Sequence, residues 1–145
     1  MDKTGLFWKA ILDTILATKA LLEIKKQKAQ ISLGNYSNAD GSDKLPFLVI
    51  GLSLKPHCFL RNCINIASIN IMWRHNKKAW MTTVIMLKWL TWFDKRMQGR
   101  KILLLINGFS AYKVAVRILI KNGSLKNTRV EFLPPNCTLV YQPLD

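Results

Sequence analysis

The large number of lysines and arginines in this sequence indicates that the protein binds a negatively charged partner. Twenty-two of them stand against eight aspartates and glutamates, which gives a formal net charge of +14. Such an excess is typical of proteins that bind a polyanion, and it favours nucleic acid before a membrane surface. Fifteen of the basic residues fall into four groups: Lys25, Lys26 and Lys28; Arg74, Lys77 and Lys78; Lys95, Arg96, Arg100 and Lys101; and Lys113, Arg117, Lys121, Lys126 and Arg129.

We expect these groups to contact phosphates, because so few acids are present to neutralise them. Such contacts would follow the nucleic-acid backbone without reading the base sequence. The alternative is that the groups are solvated faces that only keep the protein soluble. The six residues predicted to contact DNA are Lys77, Lys78, Arg100, Lys101, Lys113 and Arg117.

Histidine and cysteine offer a second chemistry, since His57, Cys58, Cys63 and His75 carry the atoms that zinc prefers. Their spacing matches no standard zinc pattern, so we favour structural thiols. The chain has three cysteines, Cys58, Cys63 and Cys137, and no two of them are spaced as Cys-x-x-Cys. We therefore expect free, mostly buried thiols and a reducing compartment.

Length and composition exclude several classes of protein. The chain has 145 residues, half of them hydrophobic, which suits one folded domain and excludes a disordered tail. The longest stretch without charge, Phe132 to Leu144, holds three prolines and is shorter than the roughly 18 apolar residues of a membrane-spanning helix. We expect neither membrane insertion nor a secretory signal.

The first half of the chain contains the pattern of a β-hairpin. Residues 29–36 and 45–51 are predicted strands, and residues 37–42 form a dense cluster of turn residues between them. Asp40 and Asp43 lie in or beside that turn, where aspartate is favoured for hydrogen bonding to the backbone, so we give them no catalytic role. Residues 57–76 are predicted to be irregular.

The best helix is predicted from Trp80 to Met97. Thr82 or Thr83 can cap its start and Gly99 can end it. Its apolar side chains near one face are Ile85, Trp89, Trp92, Phe93 and Met97, which indicates that its tryptophans belong to the core instead of forming base-stacking platforms.

The second half alternates strands and helices. Residues 101–106 form a predicted buried strand, residues 112–121 a short helix and residues 130–133 a last strand. This alternation favours an α/β sheet covered by helices.

Several blocks of the sequence, in a consistent order, resemble the DDE superfamily endonuclease domain of pogo/Tigger-type transposases. That group includes the domesticated centromere protein B and jerky-like proteins. The strongest blocks are Asn76-Lys77-Lys78-Ala79-Trp80-Met81-Thr82, Glu131-Phe132-Leu133-Pro134-Pro135-Asn136 and Gln142-Pro143-Leu144-Asp145. The resemblance covers residues 1–145 as a single domain.

The resemblance implies a ribonuclease-H-like mixed sheet flanked by helices. In that fold, a meander of three strands precedes helices and further strands, and three acids hold two divalent metals for in-line displacement at phosphorus. It also implies Mg²⁺ or Mn²⁺ as cofactor, DNA as partner and the nucleus as location. We expect this chain to be incomplete at both ends, without the start of the first strand and without the last helix.

The implied acidic triad is only partly present in this chain. The family's first Asp falls on Asp2 and its third on Asp145, which are therefore the candidate catalytic and metal-ligating residues. The position of the second Asp is Ile106, and an isoleucine cannot bind a hard cation.

We therefore predict a transposase-derived domain that binds DNA and lacks nuclease activity. One alternative is an active metal-dependent endonuclease in which Asn107 or a partner chain replaces the missing ligand. A second is a non-enzymatic DNA-binding or interaction module, and a third is a relic without function.

Overall fold

The computed structural model describes residues 2–7, as backbone only, and residues 30–134. Within this part, six strands and three α-helices form a four-stranded sheet, a two-stranded sheet and the helices that cover them. The predicted mixed α/β fold class is confirmed.

The larger sheet contains the predicted hairpin as its second and third strands. Strand β1 (Asp2–Phe7) pairs antiparallel with β2 (Gln30–Asn35), which pairs antiparallel with β3 (Phe47–Gly51). In the turn between β2 and β3, the Asp40 carboxylate accepts hydrogen bonds from the backbone N–H and the hydroxyl of Ser42, at 3.0 and 2.8 Å. The hairpin and the turn role of Asp40 are confirmed.

The segment predicted to be irregular contains regular structure. It holds α1 (His57–Arg61), a 3-10 turn (Ile66–Ser68) and β4 (Ile71–His75), and β4 pairs parallel with β3 at the sheet edge. The indole of Trp73 in β4 lies directly over Gly51, so that a side chain at Gly51 would collide with it. The prediction was wrong here because β4 is short and its partner is distant in sequence.

Helix α2 (Thr83–Arg96) is the predicted long helix. The Thr82 hydroxyl caps it by accepting a hydrogen bond from Ile85 N–H at 3.4 Å. The chain leaves the helix through Gly99, whose φ of +84° is the left-handed conformation that suits glycine. The predicted cap at Thr82 and the end before Gly99 are confirmed, but the helix begins at Thr83, three residues after the predicted start at Trp80.

A parallel strand–helix–strand unit completes the described fold. Strand β5 (Ile102–Ile106) leads into α3 (Ser110–Lys121) and then into β6 (Thr128–Phe132), which lies parallel to β5. Leu104 and Ile106 of β5 are buried, whereas Leu103 and Leu105 are 59% and 43% exposed. The prediction of a buried strand is confirmed for one face of β5 and wrong for the other, because in the described part of the chain the helices cover only one face of the strand.

One hydrophobic core joins these elements. It contains Leu48 of β3, Leu90 of α2, Leu104 of β5 and Tyr112 of α3, all nearly fully buried. Helices α2 and α3 also contact each other. Among the described residues, no helix has the length and hydropathy to cross a membrane.

Candidate nucleic-acid interface

The carboxyl ends of β5 and β6 lie side by side, with Ile106 opposite Phe132. In open α/β sheets, ligands bind at this edge. Ile106 has no exposed surface and belongs to the hydrophobic core. Where the resemblance expects a second acid, the structure therefore has a buried alkyl side chain.

The other two positions of the implied triad are less fully described. Asp2 is the first residue of β1 and lies opposite Asn35 in the register. Its side chain, and the whole of Asp145, lie outside the described residues. The candidate ligands Asp2 and Asp145 therefore stay a prediction.

Residues 30–134 contain no group of three or more His, Cys, Asp or Glu side chains that could hold a metal ion. Cys58 and Cys63 are free and exposed, so the prediction of buried thiols was wrong for both. Cys58 lies in α1, which is barely more than one turn long and buries no residue, and Cys63 follows that helix in the chain.

Helix α3 carries a line of cations. Lys113, Arg117 and Lys121 recur every four residues, which puts them on one helix face, and all three are exposed. We call them the α3 stripe. The helix contains no acidic residue. The stripe borders a groove of about 450 Å³, lined by Lys113, Val116, Arg117, Ile120, Lys121 and Phe132.

The α3 stripe begins at the carboxyl end of β5. A Cβ atom built on Gly108 would lie 3.5 Å from Cε and 3.7 Å from Nζ of Lys113. The Lys113 ammonium group therefore stands over the loop that follows Ile106. Lys121 belongs to the fourth basic group of the sequence but is not among the six residues predicted to contact DNA, although its distance of four residues from Arg117 indicates the same helix face.

Arg100 and Lys101 lie at the opposite end of β5. Arg100 Nη1 is 3.9 Å from Asp43 Oδ2, and Lys101 Nζ donates to the backbone carbonyl of Lys126 at 3.2 Å. The strand that separates them from the α3 stripe extends about 16 Å at 3.3 Å per residue. The six predicted contact residues therefore do not form one patch.

Lys77 and Lys78 occupy a third location, the exposed loop between β4 and α2. Trp80 follows them, and its side chain is 55% exposed, with Lys78 Nζ 5.8 Å from the ring centroid. The prediction that the tryptophans belong to the core is confirmed for Trp89, which is 2% exposed, and wrong for Trp80.

The described part of the chain has few acids to offset its cations. Residues 30–134 contain sixteen Lys and Arg but four Asp and Glu. Asp43 and Glu131 each lie beside an arginine, and Asp40 is held in its own turn by the Ser42 hydrogen bonds, which lower its pKa. Four acids cannot neutralise sixteen cations, so this surface is positive.

Asp94, the fourth acid, is buried in α2 and holds the start of β6. Its Oδ1 accepts hydrogen bonds from the backbone N–H groups of Asn127 and Thr128, at 2.9 and 2.8 Å, and its Oδ2 from that of Lys126 at 3.2 Å. Burial alone would raise the pKa of Asp94, but these hydrogen bonds hold the pKa below its ordinary value of 3.8. Sequence reasoning missed this residue, although it lies on the same helix face as Leu90 and Met97.

Comparison with known proteins identifies relatives of this chain. Residues 28–145 match the family model described as DDE superfamily endonuclease. The chain is 41% identical to CENP-B homolog protein 2 and 40% identical to ARS-binding protein 1, both of Schizosaccharomyces pombe, with 99% of the chain covered in each case. It is 29% identical, over 92% of its length, to Tigger transposable element-derived protein 4 of Mus musculus.

The chain spans 28% of each of the two yeast proteins and 25% of the mouse protein. No solved structure matches it. The family-model match covers most of the chain, and the relatives include centromere-protein-B homologues and a Tigger-derived protein. The chain therefore belongs to the DDE superfamily endonuclease family, as a transposase-derived domain of the pogo/Tigger type.

Proposed function

We propose that this chain is a ribonuclease-H-like module that binds the phosphate backbone of DNA without recognising the base sequence. We also propose that it does not cleave DNA. The observation that carries the proposal is the α3 stripe, with its three exposed cations on a helix free of acids. Binding to DNA further implies that the protein works in the nucleus.

The spacing of the α3 stripe suits a DNA strand. From Lys113 to Lys121 the helix rises about 12 Å, at 1.5 Å per residue. Phosphates of one strand follow each other at 3.4 Å along the axis of B-DNA, so several come within reach of the three side chains. Lysine and arginine bind phosphate through charge and hydrogen bonds, and neither contact depends on the base.

The arrangement of strands supports the ribonuclease-H-like part of the proposal. The antiparallel strands β1, β2 and β3 correspond to the opening meander, and the unit of β5, α3 and β6 corresponds to the later strands and a helix between them. In this assignment, the α3 stripe starts at the edge where the family carries out its chemistry.

The loss of nuclease activity is inferred from Ile106. A two-metal site needs carboxylates to offset the repulsion between two divalent ions about 4 Å apart. Ile106 supplies neither charge nor oxygen, and it lies within the hydrophobic core. The described residues therefore do not fit Mg²⁺ or Mn²⁺ at this position, and Asp2 and Asp145 alone would leave one ligand position empty.

Names of the relatives agree with a role in DNA binding. ARS-binding protein 1 is named for binding, and CENP-B homolog protein 2 is named for its likeness to a centromere protein. Each of these proteins is several times longer than this chain, so their names support DNA as the partner class without assigning a target sequence.

A charge-matched pair of variants tests the proposal. The first replaces Lys113, Arg117 and Lys121 by alanine, and the second replaces Lys55, Arg61 and Lys88, which are exposed elsewhere. Both lose three positive charges. The measured quantity is the slope of log affinity for duplex DNA against log salt concentration. If the α3 stripe binds phosphates, the first variant makes this negative slope shallower by about 3, whereas the control variant changes it far less.

Equal losses for the two variants would mean that net charge alone attracts DNA, and the proposal would fail. A plasmid-nicking assay with Mg²⁺ and with Mn²⁺ tests inactivity. Metal-dependent nicking by the unchanged chain, abolished by Asp2→Ala or Asp145→Ala, would establish the endonuclease alternative.

A further inference from the structure

The loop before α2 presents a tryptophan on a rigid support. Trp80 is 55% exposed, although tryptophan is among the costliest side chains to leave in water. A large aromatic side chain that a loop holds outward beside cations has the composition of a site for nucleic-acid bases.

Asn76 fixes the backbone of this loop. Its Oδ1 accepts hydrogen bonds from Lys78 N–H and Trp80 N–H, at 3.0 and 3.2 Å, and its Nδ2 donates to the Trp80 carbonyl. The Asn76 backbone N–H donates in turn to the Gly51 carbonyl at 3.1 Å, which ties the loop to the sheet. The backbone that carries Trp80 is therefore already ordered before a ligand binds.

Ala79 turns the chain so that its neighbours face outward. Its φ of +52° lies in the left-handed region, which residues other than glycine seldom adopt, and its side chain has no exposed surface. The buried Ser32 hydroxyl donates to the Ala79 carbonyl at 2.7 Å and holds this conformation. Strained backbone kept in place by its surroundings is typical of sites that clamp a ligand.

The surroundings of Trp80 favour an anion-bearing ligand. Lys77 and Lys78 precede it and are exposed. The sequence from Lys44 to Phe93 contains seven lysines and arginines and no acidic residue. A ligand that combines an aromatic face with negative charge matches this combination, and a nucleotide strand has both.

We propose that Trp80 stacks on an unpaired base of single-stranded nucleic acid while Lys77 and Lys78 bind the adjoining phosphates. In duplex DNA, the faces of internal bases are covered by their neighbours, so Trp80 adds affinity only where bases are unpaired. This inference rests on the proposed binding of nucleic acid and extends it from the backbone to the bases.

The test compares three probes of about twelve nucleotides, a length within the range that single-strand sites occupy. These are oligothymidine, an abasic oligomer with the same number of phosphates, and a duplex. The full chain carries Trp80→Ala, Trp80→Phe or, as a control, Val84→Ala. Val84 is an apolar residue one turn along and 59% exposed, so it matches Trp80 in exposure.

We expect Trp80→Ala to weaken binding of oligothymidine about tenfold and to leave binding of the abasic oligomer and of the duplex unchanged. Trp80→Phe keeps most of the affinity, because a phenyl ring still stacks. Val84→Ala binds all three probes like the unchanged chain. Lys78→Ala weakens oligothymidine and the abasic oligomer equally, because it removes a phosphate contact.

Unchanged oligothymidine binding by Trp80→Ala, or equal losses with the normal and the abasic strand, would overturn the stacking site. The stacking site would also be overturned if Trp80→Ala bound oligothymidine normally but no longer self-associated in analytical sedimentation, because Trp80 would then contact another protein chain. A chain that binds none of the three probes would instead refute the proposed function. Matching thermal transitions of the variants ensure that the differences do not arise from unfolding.

Discussion

At the amino ends of β5 and β6, the buried carboxylate of Asp94 binds the backbone of residues 126–128, whereas at the carboxyl ends the buried side chain of Ile106 is a hydrocarbon. Both residues are within the core or at its border. One position keeps an acid, and the other has isoleucine where the family resemblance puts an acid.

The difference between the two ends separates structural from catalytic acids. Asp94 satisfies three backbone N–H groups, and its removal would leave them without partners. In the proposed assignment an acid at position 106 would be a metal ligand, whereas the isoleucine found there carries no charge and adds apolar burial. A chain without selection for cleavage can therefore lose the second acid at no cost in stability.

The largest expected effect is that of Ile106→Asp. A carboxylate at this fully buried position has core residues around it, and we expect the free energy of unfolding to fall by more than about 4 kcal/mol. Urea denaturation measures the loss. Nicking with Mg²⁺ should stay absent, because restoring one acid does not assemble the other ligands.

Ile106→Val is the control and should cost about 1 kcal/mol, since it removes one methylene group and keeps the shape. If Ile106→Asp proves as stable as Ile106→Val, the position accommodates a charge, and the contrast between the two ends of β5 disappears.

Asp94→Ala should have the next largest effect. It leaves the N–H groups of Lys126, Asn127 and Thr128 without their acceptor, and we expect a loss of about 3 kcal/mol. Urea unfolding checks the value. Asp40→Ala, which removes an acid from an exposed turn, should leave the denaturation midpoint almost unchanged. Similar effects of the two variants would show that the Asp94 hydrogen bonds stabilise little.

The pH dependence of stability gives a further test of Asp94. Its folded-state pKa lies below the ordinary value of 3.8, so between the two values the unfolded state binds more protons than the folded state. The stabilisation from Asp94 is therefore fully present above about pH 5 and is lost as the pH falls below 4 through the folded-state pKa. Unfolding free energies of the unchanged chain and of Asp94→Asn should converge in that acidic window. A constant difference down to pH 2 would contradict the assignment.

Local signals explain which parts of this fold were predictable. The Thr82 cap and Gly99 bound α2, and the turn cluster around Asp40 joins the hairpin, since the responsible groups are close in sequence. Strand β4 was missed because its identity depends on pairing with β3 across an intervening helix. Burial depends on packing in the same way, and for this reason the exposure of Cys58 and Cys63 was missed.

In the candidate site, too, the predictable features are those that depend on residues close in sequence, and the others depend on distant contacts. Helical spacing is sufficient to align Lys113 with Arg117, and comparison of motifs is sufficient to find the substitution at Ile106. The role of Asp94 needs a contact over more than thirty residues of sequence, with the start of β6. The outward position of Trp80 results from the left-handed turn at Ala79, which no residue type predicts, since alanine usually avoids that conformation.

The smallest expected effects concern two glycines, one near each end of β5. Gly99, before the amino end, has a φ of +84°, so Gly99→Ala should cost about 1 kcal/mol through backbone strain. Gly108, after the carboxyl end, has a φ outside the left-handed region, and its new methyl group would make an ordinary contact with Lys113 Cε at 3.5 Å. Gly108→Ala should therefore stabilise the fold by about 0.5 kcal/mol, by restricting the unfolded chain. Thermal unfolding of the two variants checks both signs.

Because Lys113 keeps its position beside the new methyl group, duplex DNA affinity should stay unchanged in Gly108→Ala. A loss of affinity as large as that of Lys113→Ala would mean that the loop after β5 must move when DNA binds.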